Sequence, residues 1–201
     1  MRSPPRRKAM PRKSNNLPFA DITVVLGVTA SIAAYKAAEL VSRLKQGGSK
    51  IHVILTPDAC QFVRPLTFET ISGNPVYSEM FPNSREFMPI HISLAQIADL
   101  IVVAPATADF IGKVSAGLAS DLLSAVVMAT RAPVLIAPAM NANMYHNEIV
   151  QENIKRLKKH GYLFEGPEDG YLACGYEGSG RLASTGAILK RIRVLLSGPA
   201  R

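Results

Sequence analysis

The sequence predicts an α/β domain: a doubly wound parallel sheet with helices on both faces. Three observations carry that prediction. Short apolar runs alternate with helix-patterned stretches between residues 22 and 164. Two of the runs, Leu100–Ala104 and Pro133–Ala137, are apolar throughout, as strands buried on both faces are. The chain has 201 residues, 48 % of them hydrophobic, which is one domain's length with enough apolar mass for a core.

The elements follow in order. Ile22–Gly27 is a β-rich run that ends in Gly27-Val28-Thr29-Ala30-Ser31. Ile32–Gln46 has helical spacing of Ala and Leu and is stopped by Gly47-Gly48. Ile51–Thr56 is the second strand, followed by helical stretches at Asp58–Val63 and Leu66–Ser72 and a loop punctuated by Pro and Gly. Ile92–Ala98 is a short helix before the strand Leu100–Ala104. Ala108–Ala116 and Asp121–Thr130 are two more helices, and Pro133–Ala137 is the next strand. Glu148–His160 is amphipathic and closed by Gly161, and Tyr162–Phe164 is a last short strand. A glycine-rich segment after it reads as a C-terminal flap. There is no internal repeat.

The formal charge of +8 invites a nucleic-acid reading, but its distribution argues otherwise. Arg2, Arg6, Arg7, Lys8, Arg12 and Lys13 all precede the first acid, Asp21; without them 17 of the 23 Lys and Arg face 15 Asp and Glu. The basicity belongs to a proline-rich tail, expected to be disordered over residues 1–20, and the body from 21 to 201 is close to neutral. Those prolines oppose an amphipathic transit helix, and no apolar segment suits a secretory signal. No apolar run approaches the roughly 20 residues that span a bilayer. The two cysteines, Cys60 and Cys174, lack disulfide-framework or zinc-site spacing, so no metal is expected and a reducing, cytoplasmic compartment is.

In a sheet of this kind ligands bind at the carboxyl ends of the strands, which directs attention to the segments after Gly27, Leu55, Ala104 and Ala137. The first runs into a helix N-terminus, where backbone N–H groups and the hydroxyls of Thr29 and Ser31 can meet a phosphate. It lacks the G-x-G-x-x-G of dinucleotide folds and the lysine of a P-loop, so a mononucleotide phosphate fits better. An ordinary helix cap by Thr29 or Ser31 stays open. Pro105-Ala-Thr-Ala-Asp109 and Pro138-Ala-Met-Asn141 each offer small residues to a flat ring and then a polar side chain. Capping by Asp109 or Asn141 is the plainer alternative, although Met140 and Met144 flank Asn141 with adaptable apolar surface.

Ala173-Cys174-Gly175-Tyr-Glu-Gly178-Ser-Gly180-Arg181 sets a reactive thiol among glycines, as a segment closing over a site would. Of four histidines, His52, His146 and His160 have structural explanations. His91 opens a helix near the converging loops, and imidazole is the commonest base near neutral pH.

Gly27-Val-Thr-Ala-Ser-Ile-Ala-Ala-Tyr-Lys36, Pro65-Leu-Thr-Phe-Glu69, His91-Ile, Pro105-Ala-Thr-Ala-Asp109, Pro138-Ala-Met-Asn-Ala-Asn-Met144 and Ala173-Cys-Gly175 occur in one order. Each is weak alone. As an ordered set, spanning about Asp21 to Leu195, they resemble the flavin-containing cysteine decarboxylases, and within them the phosphopantothenoylcysteine decarboxylases of coenzyme A synthesis. The resemblance covers the decarboxylase part of bacterial proteins in which a synthetase domain follows. It implies a Rossmann or flavodoxin-like sheet carrying a flavoprotein decarboxylase over residues 21–201. Where the family usually has Trp after its Asn-Met motif, Tyr145 stands here, an aromatic face with an added hydroxyl expected to tune the pocket.

The implied reaction takes 4′-phosphopantothenoylcysteine to 4′-phosphopantetheine. An α-carboxylate leaves as CO₂ only if an electron sink receives the charge. FMN creates one by oxidising the thiol-bearing carbon to C=S, and is restored when the enethiolate is reduced. By the resemblance His91 is the base, Asn141 orients the substrate carboxylate and Cys174 supplies a proton in the reductive half. Gly27, Thr29, Ala30, Ser31, Thr56, Phe68, Thr107, Ala108, Asp109 and Ala139 fall where FMN is held. Met140, Asn141, Met144 and Gly175 fall around the substrate. The family assembles as homotrimers or larger assemblies of trimers, with FMN at subunit contacts. Two rival readings share the fold: a peptidyl-cysteine decarboxylase of peptide-antibiotic maturation, and a non-catalytic flavin-binding regulatory subunit. The presence of His91, Asn141 and Cys174 together speaks against the second, and the flap Cys174-Gly175 against the first. A nucleic-acid partner rests on the tail alone.

Overall fold

Side chains of the first strand, β1 (Thr23–Val28), show how the sheet is filled. Val24, Leu26 and Val28 join one buried cluster and Val25 the other, so alternate residues serve opposite faces. The computed structural model describes residues 17–81, 88–171, 175 and 177–197. Besides β1, the main sheet contains β2 (Lys50–Leu55), β3 (Val76–Tyr77), β4 (Leu100–Ala106), β5 (Val134–Pro138) and β6 (Leu163–Phe164). All pairings are parallel, in the order β3-β2-β1-β4-β5-β6. The chain winds outward from β1 to β3, returns to β4 and winds outward the other way. The switch point lies between β1 and β4.

Among the described residues eight α-helices accompany the sheet: α1 (Ala34–Gln46), α2 (Pro65–Ser72), α3 (Ile90–Ile97), α4 (Ala108–Ser115), α5 (Leu122–Ala129), α6 (Ala142–His146), α7 (Glu148–Lys159) and α8 (Thr185–Ser197). A 3-10 turn, Pro57–Gln61, stands where Asp58–Val63 was expected to be helical. Helices α1 and α8 close the face holding Val24 and Leu26, while α3, α4, α5 and α7 close the other. The doubly wound sheet expected from the sequence is therefore present. Four elements exceed that expectation: the two-residue edge strand β3, the five-residue helix α6, helix α8, and an antiparallel hairpin of β7 (Glu168–Tyr171) and β8 (Glu177–Arg181). The hairpin occupies part of the glycine-rich segment read as a flap.

The expected tail boundary needs correction. Phe19, placed by sequence inside a disordered stretch, is only 4 % exposed and belongs to the core. Its backbone N–H donates to the Gly47 carbonyl at 2.9 Å, and a Cβ on Gly47 would stand 2.4 Å from the Phe19 ring. A lone aromatic among prolines carries no periodic signal, so only its docking site reveals it. Phe19→Ala is expected to lower the unfolding free energy by about 3–5 kcal/mol, read as a shifted urea midpoint at unchanged slope.

Candidate active site

At the β1/β4 switch point the carboxyl-end loops surround a cleft of about 840 Å³. That is ample for a mononucleotide-sized ligand. Eleven of the residues singled out by sequence line it: Thr29, Ala30, Ser31, Thr56, Thr107, Ala108, Asp109, Ala139, Met140, Asn141 and Met144.

Thr29 does something other than either sequence-based alternative. It is 2 % exposed, and its hydroxyl donates to the Pro105 carbonyl at 2.9 Å while accepting the Thr107 N–H at 3.0 Å. The Thr29 N–H also donates to Pro105 O, at 3.2 Å. One side chain thus staples the β1 loop to the β4 loop where the two strands' crossovers diverge. Its donor is committed, so the expected hydroxyl contact to phosphate falls to others. Thr29→Val keeps the shape, leaves the Thr107 N–H unpaired and leaves the Pro105 carbonyl only its bond from the Thr29 N–H, a loss of roughly 1–3 kcal/mol. Thermal unfolding of the variant, with and without added flavin, measures it; an unaltered melting temperature would mean the staple contributes nothing.

Of the cleft residues singled out by sequence, three serve as side-chain N-caps. Thr56 accepts from Ala59 N at 3.3 Å and Thr107 from Phe110 N at 3.4 Å. Asn141 Oδ1 accepts from Asn143 N at 2.8 Å, which fixes its amide plane at the start of α6. The capping alternative for Asn141 is therefore realised, and the same residue lines the cleft. Helix α1 is different: its N-cap position is Ala33, which has no capping side chain; the Ser31 hydroxyl accepts from the Ala33 N–H at 3.3 Å, so its own proton is left for a ligand, and this turn faces the cleft. The N-terminal end of a 13-residue helix, with Ser31 beside it, suits an anion.

Charge in the cleft is balanced. Asp58, Asp109 and Asp121 face Lys36, Lys113 and Arg181, of which the sequence reading had singled out only Asp109. Lys113 bridges Asp109 at 2.8 Å and Asp121 at 3.3 Å. Its hydrogen bond to Asp109, reinforced by Asp121, holds the ammonium above its usual pKa. No periodic or motif signal marks Lys113, and the segment ending in Arg181 stands out only for its thiol and glycines, because the role of both cations depends on partners elsewhere in the chain.

Other expected residues lie elsewhere. Gly27 sits within β1, where a Cβ would come within 2.3 Å of Leu123 on α5, so it serves helix-to-sheet packing rather than the cleft. Phe68 is fully buried in the core beneath α1 and α8 and cannot present its ring to a cofactor in the cleft. His91 lies in the first turn of α3, half-buried, with Nδ1 buried and without a hydrogen-bond partner; it does not line its own chain's cleft. Tyr145 packs against the core of the α4–α5 face, so the expected effect on the pocket is indirect. Gly175 is exposed, with φ +92°, outside the cleft. Cys174 lies outside the described residues.

The hairpin reaches the cleft through Tyr171, Gly180 and Arg181. Gly180 O accepts the Met140 N–H at 2.9 Å, and a Cβ at Gly180 would lie 2.2 Å from Met140 O. Only glycine permits this approach, which joins the hairpin to the loop carrying Asn141.

Comparison with known proteins gives a consistent picture. Residues 12–197 match the Flavoprotein family model. The Bacillus subtilis coenzyme A biosynthesis bifunctional protein CoaBC is 48 % identical over 167 residues, 83 % of this chain and 41 % of that protein. The chain thus spans less than half the length of such relatives. A PPC decarboxylase variant complexed with pantothenoylaminoethenethiol superposes with a TM-score of 0.82 at 25 % identity, covering 88 % of this chain and 99 % of the other. The FMN-dependent cysteine decarboxylase SpaF gives 0.76 at 28 %, covering 90 % and 99 %. Among the described residues no helix is long and apolar enough to cross a membrane.

Proposed function

The chain belongs to the flavoprotein family, and from that premise we propose that it decarboxylates 4′-phosphopantothenoylcysteine to 4′-phosphopantetheine with FMN as cofactor. The observation that carries this is the convergence of eleven motif residues from four loops on one cleft of adequate size. The cleft suits FMN. Ala30, Ala108 and Ala139 leave room for a ring, and the α1 end with Ser31 suits a single phosphate. When bound, the flavin accepts and returns hydride at the thiol-bearing carbon.

The chain's own groups have separate tasks. Asn141, held by its cap, presents an amide to the substrate's carboxylate end without adding charge. Met140 and Met144 supply apolar walls, which helps exclude water from a carboxylate about to leave as neutral CO₂. Cys174 is assigned the proton that completes reduction. His91 is assigned the thiol proton. Since it stands outside its own chain's cleft, this assignment goes with a homotrimer in which one subunit's His91 meets its neighbour's cleft. Cytoplasmic residence fits a coenzyme A biosynthetic role.

The test is direct. Purified protein should be yellow, release FMN on denaturation, and convert phosphopantothenoylcysteine to phosphopantetheine and CO₂ by mass spectrometry. Protein that neither carries nor takes up FMN would overturn the reading. Turnover of a peptide ending in Cys, with none of phosphopantothenoylcysteine, would favour the peptidyl-cysteine decarboxylase alternative.

A further inference from the structure

Arg181 is held in a way that its place in a hairpin does not require. Its guanidinium lies against β7, so close to Gly170 that a Cβ there would stand 2.9 Å from Nη1 and 3.6 Å from Cζ. Gly170 has φ +149°, a second reason why no side chain occupies that spot. Glu168, opposite Arg181 in the strand pairing, approaches Nη2 at 3.8 Å. This is longer than a hydrogen bond, so Glu168 steers the guanidinium while leaving its donors available. The result is a planar fork on a glycine floor, lining the cleft.

Its position relative to the reacting end follows from the backbone. Arg181 succeeds Gly180, whose carbonyl takes the Met140 N–H, and Met140 precedes Asn141. The fork therefore rises from the junction that carries Asn141 and reaches away from it along β7, to Gly170, two residues beyond its strand partner Glu168. Of the three cleft cations, Lys113 is matched by Asp109 and Asp121. Lys36 is on α1, beside the loop suited to the cofactor's phosphate. Arg181 is the cation on the substrate side.

Two anionic groups of the proposed substrate could use such a fork, and their chemistry differs. The α-carboxylate loses its charge on the way to CO₂, so a strong ion pair to it would stabilise the ground state more than the transition state and slow the reaction. The distal phosphate keeps its charge throughout, so binding it tightly lowers KM without opposing the chemical step. A guanidinium fork matches phosphate geometry through two parallel hydrogen bonds. Resting on the function proposed above, we propose that Arg181 recognises the phosphate of the substrate and sets selectivity for phosphorylated over unphosphorylated pantothenoylcysteine.

The experiment compares steady-state decarboxylation of phosphopantothenoylcysteine and pantothenoylcysteine by the FMN-loaded enzyme. For Arg181→Gln, the kcat/KM ratio of phosphorylated to unphosphorylated substrate is expected to fall about 10-fold or more, with the loss in KM rather than kcat. Arg181→Lys should recover part of it, and Gly170→Ala, which keeps the charge and displaces the fork, should lose part of it. An unchanged ratio in Arg181→Gln overturns the assignment, as does loss of bound FMN, which would give Arg181 to the cofactor. Equal use of both substrates by the wild-type enzyme also overturns it. If the wild-type enzyme decarboxylates neither, the parent reading falls and takes this one with it, a result distinct from the others.

Discussion

His91→Asn is expected to slow anaerobic bleaching of the bound flavin by substrate about 10²-fold or more, because Asn keeps a polar side chain but cannot accept the thiol proton. Stopped-flow absorbance of the FMN-loaded protein reads this directly, while flavin content and oligomer size should match the wild type. An unchanged bleaching rate would put the base elsewhere; loss of flavin would make His91 a cofactor contact. The position of His91 outside its own chain's cleft adds a sharper consequence. If each site draws His91 from one subunit and Asn141 from another, mixing two inactive variants should restore activity. Re-assembled mixtures of His91→Asn with Asn141→Asp would then contain some sites built from the intact halves of each. Mixtures as inactive as their components would return both residues to one chain.

Asn141→Asp carries the second large effect. Asp caps a helix as well as Asn does, so the hydrogen bond to Asn143 N and the start of α6 should survive. What changes is charge: a carboxylate now faces the substrate's carboxylate in a partly dry cleft, and repulsion should cost several kcal/mol, or about 10²-fold or more in kcat/KM. Melting temperature and FMN content should barely move. Activity within a few-fold of wild type would reduce Asn141 to its capping role alone.

Much of this architecture could be read from the chain because its physics is local. Leu100–Ala104 and Pro133–Ala137 could be strands only if buried on both faces, and that fixed a parallel sheet and its ligand-binding edge. The Pro105 and Pro138 loops stood out because small residues followed an apolar strand, and both line the cleft. What escaped depends on distant partners. A hydroxyl at position 29 looks the same whether it caps a helix, meets a ligand or staples another loop; the Pro105 carbonyl decides. Phe68 and Gly27 stand in motifs that suggest a ligand, yet one fills the core and the other admits Leu123. β3 is two residues long, too short to show a period, and β7 and β8 are so rich in glycine and charge that only their pairing makes them strands.

The junction between Gly180 and Met140 also makes a spectroscopic reporter of one amide. The Met140 N–H can exchange with deuterium only when its bond to Gly180 O opens, so its protection factor measures how often the hairpin base parts from the loop. Any ligand that prefers the docked arrangement must slow that exchange in proportion to its differential affinity, whether or not turnover follows. Observed residue by residue, this separates a compound that merely enters the cleft from one that fastens its two walls together.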